Sequence, residues 1–294
     1  MATRFSAALQ NTNSTDALFR AWAQFIFDTF VTSGNWVQTA DTGQVTISTM
    51  AHPVAANTQV GYHVYKMADT LQATKPFFLR VAFGSANAAA NSPAMTITGG
   101  TGSDGAGNIT GVLFNAFQVS SQLNGTNASN SYGSADTNRC HLMMFVRTGS
   151  TDSLMFSIER TKDPANGNDT GDGFILHWQD TTPGTLTYWV NSSPGAQPPG
   201  ARWNFVLQND NVSAFGANVG IGFPLAFKGF VQPVGLGMIV TNQGDFVAAA
   251  QPAVSVYGTS HTYQLPDGTS SVTIGAGNST SATRANVRFG IRYE

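Results

Sequence analysis

Two hydrophobic periods run along this chain, and the change from one to the other falls near residue 34. In STDALFRAWAQFIFDTFVTSG, residues 14–34, the residues Leu18, Trp22, Phe25, Ile26 and Phe30 recur at spacings of three and four. That spacing places them on one face of a helix. Phe19 and Phe27 lie off the stripe, so the helix is apolar on more than one side, and burial on more than one side is expected. Ser14 or Asp16 is the expected cap and Gly34 the stop. Such a helix either packs under a sheet or docks into a neighbouring subunit.

Beyond Gly34 the period is two. GQVTISTM, TQVGYHVYKM, FFLRVAFG, PAMTITG, GVLFNAFQV, CHLMMFVR, SLMFSIERT, GFILHWQ and TLTYWVN read as successive strands, with turn residues between them. WNFVLQ, FPLAFKGFV, VGLGMIV, DFVAA, VSVYG, HTYQL, SVTIG and VRFGIRYE continue the series to the C-terminus. Short strands at roughly ten-residue spacing favour a sandwich or barrel over alternating strand–helix units. The expected fold is all-β: an antiparallel β-sandwich, jelly-roll-like, with one N-terminal amphipathic helix. Residues 1–45 form the expected helix and docking segment and 46–294 the sandwich, with a candidate subdivision at the Pro- and Gly-rich stretch 191–201. The polar stretches 120–139 and 161–173 read as long loops.

Composition strengthens the β reading. Charged residues make up 10% of the chain, against about 25% in typical globular domains. There are four lysines and only two glutamates, Glu159 and Glu294, although these residues ordinarily furnish exposed helix surfaces. The net charge is -2 with no cluster of Arg and Lys, so no nucleic-acid partner is expected. No apolar run approaches the ~18 residues of a membrane-spanning helix, and the first residues show no secretory signal. Cys140 is the single cysteine, which excludes a disulfide within one chain.

Candidate chemistry begins at GGTGSDGAGNITG, residues 99–111. A phosphate loop needs a lysine after its glycines, and none lies between Lys75 and Lys162. A dinucleotide loop needs a helix after it, where GVLFNAFQV reads as a strand. Asp104 and Asn108 supply oxygens of the kind calcium takes, but too few at fixed offsets. NGNDTGDG, with Asp169 and Asp172, is the better metal candidate, although Asp and Asn also favour turns for backbone reasons. The histidines His52, His63, His141, His177 and His261 show no metal-ligand spacing, and no GxSxG elbow is present to anchor a nucleophile. Cys140 and His141 are strand neighbours and point to opposite faces. Glu159 and Asp163 are the nearest carboxylate pair, with Arg160 or Arg147 as the expected partner of Glu159 across strands. No catalytic constellation emerges, and neither enzymatic activity nor a cofactor is expected. Trp178, Tyr188 and Trp189, near loop edges, are of the type that stacks on sugar rings or caps the ends of a sandwich.

Three stretches carry a resemblance. GNWVQTADTGQV, GYHVYKMADTLQATKPFFLRVAFGS and TGSDGAGNITGVL, within residues 14–113, resemble structural proteins of tailed bacteriophages. In those proteins a short helix precedes a similar W-V-Q-T-A-D-T-G-Q segment, and a Y-x-x-Y-x-M-A-D-x-L-Q strand and a G-T-G-S-D-G-x-G-x-I-T-G loop follow. The resemblance implies a virion protein of the tail, baseplate or fibre-attachment region, assembled in the host cytoplasm. It implies other phage structural proteins as partners and a homo-oligomer, trimer or hexamer, and it transfers no catalytic residue. Leu18, Trp22, Phe25, Phe30 and Trp36 are then the expected docking residues. A capsid decoration protein and a module that binds a host surface glycan through Trp178, Tyr188 and Trp189 are the other expectations.

Overall fold

The computed structural model describes residues 3–10, 12–32, 35–86, 90–120, 128–146, 154–162, 168–179, 182–189, 238–242, 260–264, 270–274 and 287–292. The described residues form mostly antiparallel sheet, with one α-helix among them, α1 (Asp16–Phe27), as the composition indicated. One sheet takes β2 (Trp36–Gln38), β3 (Gln59–Met67), β4 (Phe78–Ser85), β5 (Pro93–Ser103) and β6 (Ile109–Ser120) in consecutive order. A second runs β1 (Thr3–Gln10), β7 (Ala128–Asp136), β8 (Arg139–Val146), β9 (Leu154–Lys162), β10 (Asp169–Gln179) and β11 (Thr182–Trp189). The third has the order β12 (Met238–Asn242), β15 (Val287–Arg292), β14 (Ser270–Ile274), β13 (Ser260–Gln264).

Residues of α1 and of the first two sheets share one hydrophobic core. Phe19, Trp22, Ala23 and Ile26 meet Tyr65, Leu79, Val81, Phe83, Met95 and Ile97 from one sheet and Cys140, Leu142, Phe156, Ile158 and Ile175 from the other. The alternation is visible in β4, where Leu79, Val81 and Phe83 are fully buried while Phe78 and Arg80 are half-buried. Aromatic packing joins the layers. Phe30 stacks on Tyr65 at 4.7 Å between centroids and meets Trp36 edge-on at 5.1 Å, geometries that add to simple area burial.

Thr15, rather than Ser14 or Asp16, caps α1, its hydroxyl accepting from the Leu18 N–H at 3.3 Å. Asp16 is instead the first helical residue, where a carboxylate suits the positive end of the helix. It accepts from Arg20 Nη2 at 3.0 Å, from the His52 N–H at 2.9 Å and from His52 Nδ1 at 2.6 Å. A carboxylate can only accept, so the His52 proton sits on Nδ1. After Phe27 the helix widens into a π turn over Asp28–Thr32, where the Thr29 hydroxyl donates back to Phe25 O at 2.8 Å.

Four segments depart from the sequence reading; one is the expected loop 161–173, where 161–162 end β9 and 169–173 begin β10. Residues 3–10, without an expectation of their own, form β1 and pair with β7 along all their length. GQVTISTM is not a strand: Val45 makes one bridge to Tyr62 O, and the chain then closes a 3₁₀ turn at Ile47–Thr49. Much of the expected loop 120–139 is β7, which lies inside the second sheet between β1 and β8. Residues on both sides of the expected boundary at 45 share the core, and the stretch 191–201 lies outside the described residues.

Candidate functional site

The glycine stretch forms the end of the β5–β6 hairpin, and the WVQTADTGQ segment lies over it. Asp104 turns the chain. Its Oδ1 accepts from the N–H groups of Ala106 at 2.8 Å and Asn108 at 3.0 Å, and its Oδ2 from Asn108 Nδ2 at 2.7 Å. These bonds, that of the Asn108 side chain foremost, hold the Asp104 carboxyl below the usual carboxylate range. Asp41 reaches across from the facing segment, accepting from the Ser103 hydroxyl, the Thr39 hydroxyl at 2.5 Å and the Gly107 N–H at 2.9 Å. Burial works against its ionisation, but the hydrogen bonds from Ser103, Thr39 and Gly107 outweigh that and its carboxyl also lies low.

Backbone and aromatic contacts finish this corner. Thr42 donates to Gly105 O through both its N–H, at 2.8 Å, and its hydroxyl, at 3.2 Å. The Tyr62 hydroxyl lies 2.7 Å from Thr42 O and 3.0 Å from Ala106 O and shares its proton between them. Gly107 has φ +87, and a Cβ there would sit 2.2 Å from the Tyr62 ring, so both backbone and space require glycine. The Arg80 guanidinium lies 4.5 Å from the Tyr62 centroid. Gln44 uses its whole amide, donating to Thr39 O and Asp41 O and accepting from the Val64 N–H and Gln38 Nε2.

The chemistry available here is structural. The oxygens of Asp41 and Asp104 are occupied by N–H and O–H donors, whereas a calcium site needs them free to face the ion. Among the described residues no three His, Cys, Asp or Glu side chains gather to hold a metal. Of the expected metal pair, Asp169 accepts from Asn138 Nδ2 at 2.5 Å, while the side chain of Asp172 lies outside the described residues.

A second group of polar residues is buried in the other sheet. Arg160, 1% exposed, pairs with Asp69 and donates to Lys75 O at 2.8 Å. Glu159 does not pair with Arg160 as expected, because successive strand residues face opposite ways. It stands across from Arg139 in the strand register, with its carboxylate 3.5 Å from His141 Nε2. Cys140 faces the core, where burial pushes its thiol well above the usual range. His63 is held by two neighbours: its Nε2–H donates to Val45 O, so Nδ1 accepts from the Tyr65 hydroxyl, each at 2.9 Å. Burial pulls the His63 pKa down, which keeps the ring neutral.

Of the expected docking residues, Trp22, Phe25, Phe30 and Trp36 are between 0% and 6% exposed, their apolar surface packed inside this chain under the sheets. Leu18 is half-buried beside them. Trp36 also bridges the sheets, its indole N–H shared between Asp136 O at 3.0 Å and Arg139 O at 3.1 Å. Trp178, Tyr188 and Trp189 belong to β10 and β11, and their side chains lie outside the described residues. Sequence reasoning missed Asp41, Tyr62 and the Asp69–Arg160 pair. A T-x-D-T-G turn signal marked Asp41, but nothing local pairs Asp69 with a residue 91 positions away.

No protein-family model matches the chain, and neither does any curated protein or solved structure.

Proposed function

We propose that this chain is a structural subunit of a tailed-phage virion, belonging to the tail, baseplate or fibre-attachment region and acting by assembly rather than by catalysis. One observation carries the reading. The polar residues of the three stretches that resemble phage structural proteins are turned inward on one another. Asp41, Thr42 and Gln44 of the first engage Tyr62 and Val64 of the second and Ser103, Gly105 and Gly107 of the third. Asp69 of the second stretch reaches Arg160 in the other sheet. Residues committed to internal bonds in this way serve shape rather than chemistry, and a fixed shape is what an assembly subunit needs.

Low charge fits the same role. A chain with 10% charged residues has little electrostatic repulsion to hold copies apart, and its association depends little on salt. A closed homo-oligomer, trimer or hexamer, beside other phage structural proteins is the proposed state, with the virion as location. In architecture we read the first two sheets as the faces of a sandwich around α1. Their consecutive strand orders, broken by the return of β7 to β1, make the plain sandwich a closer description than the jelly-roll-like variant.

A residue-resolution reconstruction of the particle tests the proposal. The chain is expected in a symmetric ring of the tail or its attachment region. Placement on the capsid shell, absence from the particle, or release of reducing ends from host polysaccharide by the purified chain overturns it.

A further inference from the structure

Strand register lines up one row across all five strands of the first sheet: Val37, Lys66, Phe78, Gly100 and Val112. Their neighbours along β2, β3 and β4, namely Trp36, Tyr65, Met67 and Leu79, belong to the core, so Val37, Lys66 and Phe78 face away from it. Val37 is 42% exposed and Val112 40%, and Lys66 and Phe78 are half-buried. Gly100 is covered, because β6 passes close over it: a Cβ there would meet Ile109 Cγ2 at 2.4 Å. Exposed apolar residues scattered singly need no explanation. Here two of the three large ones among the described residues end the same row, with Phe78 and the Lys66 stem between them. We propose that this row is the surface on which a second copy of the chain docks, head to tail. The proposal rests on the assembly reading above and names the interface which that reading requires.

Charge identifies the occupant. Arg20, Arg139 and Arg160 each have a carboxylate beside them, from Asp16, Asp136 and Asp69. Lys66 and Arg80 have none among the described residues, and Arg80 lies instead over the Tyr62 ring at 4.5 Å from its centroid. These two cations share one face of the sheet. Lys66 stands opposite Phe78, and Arg80 is two residues further along β4, so they are diagonal neighbours on adjacent strands. Like charges at that spacing repel, and a carboxylate laid over the row relieves both. The surface therefore asks for a partner that brings carboxylates amid apolar side chains.

The chain itself supplies that complement. Asp28 accepts from Gln24 and Thr32, and Asp104 from Ala106 and Asn108, but neither has a cation beside it among the described residues. Over the whole sequence 16 acidic residues face 14 lysines and arginines, so a surface that gathers two free cations leaves the rest of the molecule the more acidic. Two copies laid with this row against itself would set cation on cation, which excludes a two-fold contact here. A head-to-tail contact instead sets the row against a different part of the next copy. Repeated, it closes a ring where the rotation allows, which is the state proposed above. Val37, Phe78 and Val112 then keep water from the charged contact, the role that apolar surroundings play at interfaces.

The test is carbodiimide cross-linking of the full chain, in a mixture of isotope-labelled and unlabelled copies, beside sedimentation equilibrium of parent and variants. Carbodiimide joins a lysine amine to a carboxylate in direct contact, and the expected product links Lys66 of one copy to an acidic residue of another. Lys66→Glu is expected to raise the dissociation constant of the oligomer about tenfold or more, while Lys66→Arg leaves it near the parent value. Val37→Thr together with Val112→Thr keeps the branched, strand-forming shape. The pair should raise the constant about tenfold through the buried methyl lost at each position. These side chains lie at the surface, so every variant should melt with the parent. A closed oligomer that gives no Lys66 cross-link and survives Lys66→Glu unchanged overturns this interface and leaves the assembly reading standing. A chain that stays monomeric at every concentration overturns both.

Discussion

Asp41 shows how much one side chain holds in this molecule. It joins the segment after β2 to the tip of the β5–β6 hairpin, two pieces of chain more than sixty residues apart. Asp41→Asn keeps the shape but turns an acceptor-only group into one with an N–H₂, which then faces either Ser103 and Gly107 or Thr39. We expect a loss of about 1.5–3 kcal/mol, the scale of hydrogen bonds to a charged acceptor, measured by urea denaturation. The pH dependence has a definite sign. The Asp41 carboxyl titrates lower in the folded chain than in the unfolded one, so its contribution is complete above the unfolded value near 3.9. It is lost as the pH falls from there through the folded pKa. The wild-type advantage over Asp41→Asn therefore shrinks only below about pH 4, and an advantage that shrinks between pH 8 and 6 would show that another group is responsible.

At the scale of elements, β7 and the π turn that follows α1 depend on each other's size. Gly133 of β7 lies so close to the end of the helical segment that a Cβ there would sit 2.3 Å from Thr29 Oγ1 and 2.7 Å from its Cγ2. Gly133→Ala is expected to cost about 1–3 kcal/mol through overpacking, read as a lower urea midpoint. Thr29→Ala in the same chain should recover part of that, a coupling that a double-mutant cycle measures directly. Simple additivity of the two changes would contradict the contact. This closeness also explains why β7 was illegible in the sequence. Gly133 is small because the π turn needs room, and it stands among Ser129, Ser131, Ser134 and Ala135, residues that carry neither apolar alternation nor strand propensity. The strands β3, β4, β8 and β9 were legible because each alternates large apolar residues with others. The helix was legible too, but its two-sided apolarity fits a buried helix as well as a docking one, and only its surroundings in the fold separate these. The hairpin tip was readable as a turn from Asp104 and Asn108, whereas Tyr62 and Asp41 join it only through tertiary contact.

Over the whole molecule, the two large sheets are tied at their ends by polar residues as well as by the core between them. Asn35 Nδ2 donates to Ala135 O at 2.7 Å, the Ala68 N–H to Thr137 O at 3.0 Å, and Arg160 pairs with Asp69. Arg160→Met leaves Asp69 without its cation in a site where Arg160 is 1% exposed. Removing one member of such a buried pair costs about 3–5 kcal/mol, so we expect a fall in melting temperature of roughly 5–10 degrees for Arg160→Met. Adding Asp69→Leu should return much of it, since an apolar pair of similar volume needs no ion partner. A frame tied in this way keeps a fixed outline, which suits a subunit that repeats itself around an axis. The direct test of that role is the mass of the full chain in solution, measured by sedimentation equilibrium over a wide concentration range. The account predicts a closed species of three or six copies of the 31.0 kDa chain; a monomer at every concentration, or a mass that grows without limit, would contradict it.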